Sequence, residues 1–491
     1  MVIKSSSLKN RWLFWHQWIG VIACVGMVLW GLSGASHPIM SRLQPAPKQF
    51  MPPLAPVDLS QAVSLPALLQ QQAITQFRHI SLVHLDGEAY YRVALSDAVR
   101  YFSVVNGQER TDAERAAAIS LANYYTGRDA SSVRAVEAVT DFAPDYHPVN
   151  RLLPVWRVAY ASEDGLRAYI DTEQSRLATL VDDRRAFLTK VFQWGHNWSF
   201  LQACSRLQLA VATTVLILIL ASAVTGITLY IKQRKTAPYR LKRWGVQWWH
   251  REFGGWVSLV ILLLASSGLF HLWMSDIQQR RPLQATAFVA DGSALSLQAW
   301  SQLATGKILK LDIYGRGEAL FWQIIPVTTG MDGVPSAQVA AMHHHGDPSA
   351  APPAPMLWMT RHQLVTALTP ETYAGEWVNV IAGKTLPGIV SVGWVTAFAN
   401  EYGFVFKRLP VLKVQTSQAD HTRLYVEPAT GTLAASINDT DGLEGFVFAY
   451  LHKWSVQSVS KDVRDVLAIL AALAVSLTGL LGAYLFAKKR G

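Results

Sequence analysis

Histidine is the residue whose positions in this sequence most clearly suggest chemistry. Two long segments share one pattern, WHQWIGVIACVGMVLWGLSGASH at 15–37 and WHREFGGWVSLVILLLASSGLFH at 249–271. Two shorter segments, FQWGHNWS at 192–199 and FAYLHKWS at 448–455, also match each other. Six histidines therefore form three matched pairs, which are His16 with His250, His37 with His271, and His196 with His452.

Matched histidines of this kind indicate ligation of a metal or a haem. Imidazole nitrogen is a good ligand for haem iron, zinc and copper. Two histidines on opposing helices can supply both axial bonds of a b-type haem. The sequence contains no Cys-x-x-Cys-His motif, which excludes covalent haem attachment. A hydrogen bond to a backbone carbonyl or a lipid headgroup would explain one interfacial histidine, but it does not explain three matched pairs.

Four predicted membrane helices must position these histidines. A helix needs ~20 apolar residues to span a bilayer. Four stretches without Asp, Glu, Lys or Arg are long enough, and they lie between Arg11 and Arg42, Arg206 and Lys232, Glu252 and Asp276, and Asp465 and Lys488. Positions 16 and 37 of the first helix are ~31 Å apart along a helix axis, as are positions 250 and 271 of the third. Each of these two helices therefore has one histidine near each membrane face.

Composition and charge agree with a membrane protein. Of the 491 residues, 51% are hydrophobic and only 16% are charged, below the usual quarter of a soluble protein. Lys and Arg cluster before helix one, between helices two and three, and after helix four, which makes these segments cytoplasmic. The net charge of +10 therefore indicates topology and not nucleic-acid binding. A cleavable signal peptide is the alternative for helix one, but the repeat requires this helix.

The repeat predicts two copies of one helix–domain–helix unit in the same orientation. Residues 154–177, PVWRVAYASEDGLRAYIDTEQSRL, align with residues 410–433, PVLKVQTSQADHTRLYVEPATGTL, and both patterns predict a strand, a turn, a strand and a second turn. Helices are predicted at 59–72 and 113–125, so we expect small α+β domains. The predicted segments are 1–37 (tail and helix one), 38–200 (first outer domain), 201–274 (helices two and three with a cytoplasmic loop), 275–455 (second outer domain) and 456–491 (helix four and tail).

These motifs resemble the PepSY-associated transmembrane helix family, over nearly the whole chain. The resemblance rests on the His-x-x-x-Gly openings at His16 and His250, the histidines before helices two and four, and the matched strand pairs. It implies a polytopic α-helical protein of the bacterial inner membrane, with four transmembrane helices, cytoplasmic termini and two periplasmic α+β PepSY-like domains. Some members act as haem-containing ferric-siderophore reductases. The second outer domain departs from the pattern in a proline-rich stretch around 342–355. The substrate-binding surface of family members therefore cannot be assigned to this domain.

The resemblance implies an oxidoreductase with two or three b-type haems. Electrons would enter near His16 and His250 and leave near the other four matched histidines, whose pairing across or within the copies the sequence leaves open. The acceptor would be a ferric siderophore or another ferric chelate, from which ferrous iron is released. The cytoplasmic segments are too short for a flavin or nucleotide domain. The donor is therefore expected to be a membrane quinol or a separate cytoplasmic reductase.

Further residues and two other functions complete the sequence hypotheses. Arg206 and Arg251 could neutralise haem propionates, although anchoring at the membrane face is the simpler explanation. His343, His344 and His345 could bind released iron or copper, although we favour a solvated polar loop.

A regulatory protein that holds a periplasmic peptide or protease would not explain histidines at both faces. An iron or siderophore transporter would predict charged residues near mid-membrane, which the four helices lack.

Overall fold

Two compact units make up the part of the chain that the structure describes. The computed structural model describes residues 4–50, 52–236, 245–279, 288–327, 356–361, 364–382, 388–399, 401–456 and 458–490. The helical unit consists of Met1–Gln44, Asp183–Pro282 and Asp441–Gly491. The sheet unit consists of Pro45–Asp182 and Leu283–Thr440.

Helices and strands alternate along the chain in an order that repeats once. The α-helices are α1 (Lys4–Leu43), α2 (Leu65–Gln71), α3 (Ala113–Thr126), α4 (Asp183–His196), α5 (Ser205–Thr236), α6 (Val246–Gln279), α7 (Leu297–Leu303), α8 (Pro370–Trp377), α9 (Asp439–Phe446) and α10 (Lys461–Lys488). The strands are β1 (Val57–Asp58), β2 (Gln76–Phe77), β3 (His79–Leu85), β4 (Glu88–Ala94), β5 (Val99–Ser103), β6 (Val133–Val139), β7 (Val155–Tyr160), β8 (Arg167–Asp171), β9 (Arg176–Val181), β10 (Ala290–Asp291), β11 (Lys307–Arg316), β12 (Ala319–Pro326), β13 (Met356–Arg361), β14 (Leu364–Leu368), β15 (Ile389–Val395), β16 (Val411–Thr416), β17 (Arg423–Glu427) and β18 (Thr432–Ile437).

Four helical segments of the helical unit are long and apolar enough to cross a membrane. They are Arg11–Leu43, Ser199–Gln233, Val246–Gln278 and Lys461–Lys488, and they lie on α1, α5, α6 and α10. Each contains most or all of one charge-free run of the sequence, so the prediction of four apolar helices is confirmed. Large apolar side chains such as Ile217, Leu259 and Leu470 are exposed on the outside of this unit, as expected of helices that face lipid.

The four long helices form a bundle in which α1 and α6 each contact both α5 and α10. The interior is apolar and includes Ala23, Leu216 and Ile261. At Gly31 of α1, a Cβ atom would lie 2.1 Å from the Oγ of Ser476 on α10. Only glycine permits this backbone approach, which is typical of helix packing in membranes.

The largest sheet of the sheet unit joins the two copies of the repeat. Its strand order is β14-β13-β12-β11-β3-β4-β5, and β1 pairs with β11. Strands β3 and β11 pair antiparallel, with Ile80 opposite Ile313. At this junction the Nε2 of buried His79 lies 3.1 Å from the carbonyl oxygen of Ala429 and 3.2 Å from Oδ1 of Asp312.

Two four-stranded meanders have the same strand order in the two copies. One is β6-β7-β8-β9 and the other is β15-β16-β17-β18. In both, a tyrosine between the first and second strands donates its hydroxyl proton to a backbone carbonyl six residues later, Tyr146 to Leu152 (2.6 Å) and Tyr402 to Arg408 (2.9 Å). The predicted strand–turn–strand patterns at 154–177 and 410–433 are confirmed. The predicted helix at 113–125 is α3, and the one at 59–72 is a 3₁₀ turn at Leu59–Gln61 followed by α2.

The boundaries of the units differ from the segments that the sequence suggested. We expected separate outer domains at 38–200 and 275–455, whereas the sheets of both copies belong to one compact unit. The cause is that β3 and β11 pair edge to edge and so form one continuous sheet. In addition, α4 and α9 belong to the helical unit, since α4 packs on α1 and the turn Val447–His452 after α9 packs on α6.

A buried ionic cluster also ties the two copies together in the sheet unit. The Nη2 of Arg176 in the first copy lies 2.7 Å from Oε1 of Glu427 in the second, and its Nε lies 2.8 Å from Oδ2 of Asp171. Burial alone would raise the pKa of Glu427, but the Arg176 and Arg408 guanidinium groups hold it below its usual range. Glu427 is therefore ionised at neutral pH and depends on these arginines.

Replacing Arg176 by Met should destabilise the sheet unit strongly. The substitution leaves Asp171 without its cation and removes one of the two guanidinium groups that stabilise ionised Glu427. We therefore expect a loss of about 3–5 kcal/mol in the free energy of unfolding. The measurement is urea unfolding of the full chain in detergent, followed by circular dichroism. The control is Arg157→Met, which removes a more exposed pair with Glu137 and should cost at most about 1 kcal/mol. Equal losses in the two variants would contradict the assignment.

Candidate functional site

The first matched pair, His16 and His250, comes together between α1 and α6. Their ring centroids are 6.2 Å apart, and the ring planes are inclined by 44°. The sequence expectation that these two residues are neighbours is therefore met in the structure. We refer to this region as the His16 end of the helical unit.

A threonine on α5 favours one tautomer of His16. The Oγ1 of Thr225 lies 3.1 Å from Nδ1 of His16. The same hydroxyl lies 2.8 Å from the carbonyl oxygen of Ala221 and 3.0 Å from that of Ser222. With its single proton on one of these carbonyls, the hydroxyl accepts a proton from Nδ1. This arrangement leaves the lone pair of the imidazole on Nε2.

His250 has a different environment from His16, although the two positions match in sequence. Its buried Nδ1 faces the backbone of Thr478 and has no side-chain hydrogen-bond partner among the described residues. The hydroxyl of Thr478, the counterpart of Thr225 in sequence, donates to the carbonyl oxygen of Ala474 at 2.9 Å. His250 therefore lacks the side-chain hydroxyl that His16 has.

Glycines lie against three of the matched histidines. A Cβ atom at Gly226 would be 3.2 Å from Cε1 of His16, and one at Gly482 would be 3.2 Å from Cε1 of His250. At Gly268 it would be 3.3 Å from Cε1 of His452. Any larger residue would press on these imidazoles, so the glycines let the rings pack directly against the helix backbone.

The other four matched histidines gather at the opposite end of α1 and α6, which we call the His37 end. The rings of His196 and His452 are 6.5 Å apart. Phe192 stacks on His196 at 4.7 Å and contacts His37 at 5.5 Å. Phe448 occupies the same position in the second copy, 5.4 Å from His452 and 4.0 Å from His271.

Serine hydroxyls favour the same tautomer of His196 and His452. Ser33 lies 3.1 Å from Nδ1 of His196 and donates to the carbonyl oxygen of Leu29. Ser267 lies 3.1 Å from Nδ1 of His452 and donates to the carbonyl oxygen of Leu263. With their protons on these carbonyls, both hydroxyls accept from Nδ1, as Thr225 does. Both imidazoles then present Nε2 as the free nitrogen.

Electrostatics keep His196 and His452 neutral. Burial, together with smaller contributions from the neighbouring histidines and Lys453, lowers the pKa of His196 to about 3. Burial, together with His271 and Lys453, lowers the pKa of His452 to about 4. Only a neutral imidazole can ligate a metal, so both are in the competent form at physiological pH.

His271 differs from the other matched histidines in its partner. Its Nδ1 hydrogen-bonds to Oε1 of Glu444, a carboxylate on α9. The side chain of Glu444 is only 12% exposed. Glu444 could not be identified from the sequence, because this residue is not repeated in the first copy.

The remaining candidates contribute less to these sites. The guanidinium of Arg251 is paired with Glu252 at 2.6 Å, so an anionic group there would compete with that carboxylate. Arg206 is exposed in the first turn of α5. His343, His344 and His345 lie outside the described residues.

Histidine ¹⁵N NMR can test the assigned tautomers and charges. In metal-free protein between pH 6 and pH 8, we expect His196 and His452 to be neutral and protonated on Nδ1, because their pKa values are about 3 and about 4. Ser33→Ala removes one acceptor, so the His196 signals should move towards a mixture of tautomers while those of His452 stay unchanged. A charged imidazolium at either residue at pH 6 would contradict the assignment.

Comparison with known proteins assigns no family to this chain. No protein-family model matches the chain. No curated protein sequence matches it either. The likeness of its motifs to PepSY-associated membrane proteins is therefore an expectation, and a function has to be proposed from the side chains of the helical unit.

Proposed function

We propose that this chain is a haem b-containing oxidoreductase of the bacterial inner membrane. It would pass electrons from the cytoplasmic side or the quinol pool to a periplasmic ferric chelate, such as a ferric siderophore, and release ferrous iron. The observation that carries the proposal is the presence of close histidine pairs, His16 with His250 and His196 with His452, at the two ends of one apolar bundle.

The separation of the rings in both pairs supports this proposal. Metal–imidazole bonds of about 2 Å on opposite sides of one metal ion separate the ring centroids by about 6 Å. The two pairs have separations of 6.2 and 6.5 Å. Each pair joins residues of the two copies, which the repeat had suggested for His16 and His250.

The number of donors favours haem over a bare metal ion. A structural zinc site needs four protein ligands, whereas each of these pairs supplies two. Haem iron takes its four equatorial bonds from the porphyrin and needs only two axial ligands.

In a one-electron reaction, the chain would hold the haem in position and shield it from water and ions. A b-type haem held by such a pair accepts and donates one electron as its iron alternates between the ferric and ferrous states. Helices α1 and α6 each carry one histidine at each end of the unit and fix the distance between the ends. Apolar side chains such as Leu216 and Ile261 exclude water and ions from the interior.

The chemistry of the acceptor agrees with a one-electron donor. One electron converts ferric iron in a chelate to ferrous iron. Siderophore oxygen ligands are hard donors that prefer ferric iron, so reduction weakens the complex and releases the metal. No acid, base or nucleophile of the protein is required for this step.

Purified protein provides the main test. We expect a sharp Soret band and α bands after dithionite reduction, and oxidation of the reduced protein by ferric citrate, with ferrous iron trapped by ferrozine. His16→Ala and His250→Ala should each remove the haem at the His16 end and should lower haem per chain. The control is His421→Ala, an unmatched histidine of the sheet unit, which should keep the full haem content. A colourless preparation from haem-replete cells would refute the proposal.

Gly482→Ala tests the space beside His250. The added Cβ would lie 3.2 Å from Cε1 of the ring, so the imidazole must shift and its bond to iron should weaken. We expect haem transfer to excess apomyoglobin to become at least several-fold faster. The matched control is Gly34→Ala, where the nearest atom would be at an ordinary 3.9 Å. Equal transfer rates in the two variants would place the haem elsewhere.

A further inference from the structure

The His37 end of the helical unit departs from the repeat at one carboxylate. Glu444 lies four residues before Phe448 in the second copy. The equivalent position, four residues before Phe192, is Leu188 in the first copy. Leu188 offers no hydrogen-bond acceptor, and within the described residues no carboxylate hydrogen-bonds to His37. The two copies therefore surround matched histidines with different groups.

The Nδ1 partners of the matched histidines are of two chemical kinds. Thr225, Ser33 and Ser267 present neutral hydroxyls. Glu444 presents a largely buried carboxylate to His271. A charged acceptor makes a stronger hydrogen bond than a neutral one. His271 is therefore held more firmly than the other three.

Two contacts together fix the ring of His271. Glu444 engages its Nδ1 edge, and Phe448 stacks on its face at 4.0 Å with an inclination of 19°. In the first copy the ring of His37 is inclined by 54° to Phe192, at 5.5 Å. The proton on Nδ1 is directed to the carboxylate, so Nε2 of His271 is the nitrogen left for a metal.

We propose that Glu444 is a positioning residue that orients His271 as a further ligand at the His37 end, beside the pair of His196 and His452, and that it lowers the reduction potential of a haem iron bound there. The inference rests on the proposed haem function and deepens it. A carboxylate on the far nitrogen of a ligating histidine fixes its orientation and raises its basicity. A more basic ligand and a nearby negative charge both stabilise ferric over ferrous iron. The two copies thus give inequivalent iron centres from matched histidines.

A set of three variants tests this inference by redox potentiometry and low-temperature EPR. Glu444→Leu recreates the environment of the first copy, Glu444→Gln keeps an acceptor but removes the charge, and Leu188→Glu introduces a carboxylate beside His37. We expect Glu444→Leu to shift the ferric-to-ferrous ratio of one haem at least tenfold towards ferrous, which corresponds to about 59 mV for one electron. Glu444→Gln should shift it less, and Leu188→Glu should lower the potential of a haem.

The outcomes separate this inference from the proposed function. Haem content per chain is measured in each variant, and Glu444→Gln is the informative one where Glu444→Leu does not accumulate. If Glu444→Gln and Glu444→Leu keep full haem content with the potentials and EPR g values of the parent, Glu444 does not tune the iron and the inference is overturned, while the oxidoreductase proposal stands. A parent protein without haem overturns both.

Discussion

An imidazole that binds a metal, as we propose for the helical unit, needs a nitrogen that carries no proton. Thr225, Ser33 and Ser267 each donate to a backbone carbonyl within their own helix. In this arrangement their oxygen accepts from the facing histidine, whose proton then lies on Nδ1. The close packing of the helices matters because it brings these hydroxyls within 3.1 Å of the rings.

Much of the fold follows from short-range patterns in the sequence. Charge-free runs predicted the four long helices, and alternating apolar residues predicted strands β7 and β8 of one meander and β16 and β17 of the other. The pairing of β3 with β11 could not be predicted, because it depends on edges that lie far apart in the chain. The assignment of α4 to the helical unit was missed for a related reason. Exposed Phe187 and Trp194 look like the surface of a domain helix, and only the contact with α1 shows where α4 belongs.

The candidate site was predictable where it repeats and not where it is unique. Duplication identified the six histidines and suggested that His16 and His250 meet. The matched motifs also contain Ser33, Ser267 and Thr225, but hydroxyl side chains are too common for a role to be assigned without distances. Phe192 and Phe448 each lie four residues before a matched histidine. This spacing was also visible in the sequence, but it assigned the two residues no role. Glu444 gave none, since its partner His271 lies far away in the sequence and the first copy has leucine instead.

The shared sheet has a consequence for the biogenesis of the protein. Strand β3 ends at Leu85, and β11 begins only at Lys307, so a ribosome adding 5–20 residues per second needs about 10–45 s to complete the interval. During this time the edge of β3 presents unpaired backbone groups, which are templates for aggregation. A nascent chain that stops after the first copy therefore exposes this edge permanently. Synthesis of the second copy is what turns an aggregation-prone intermediate into a finished sheet.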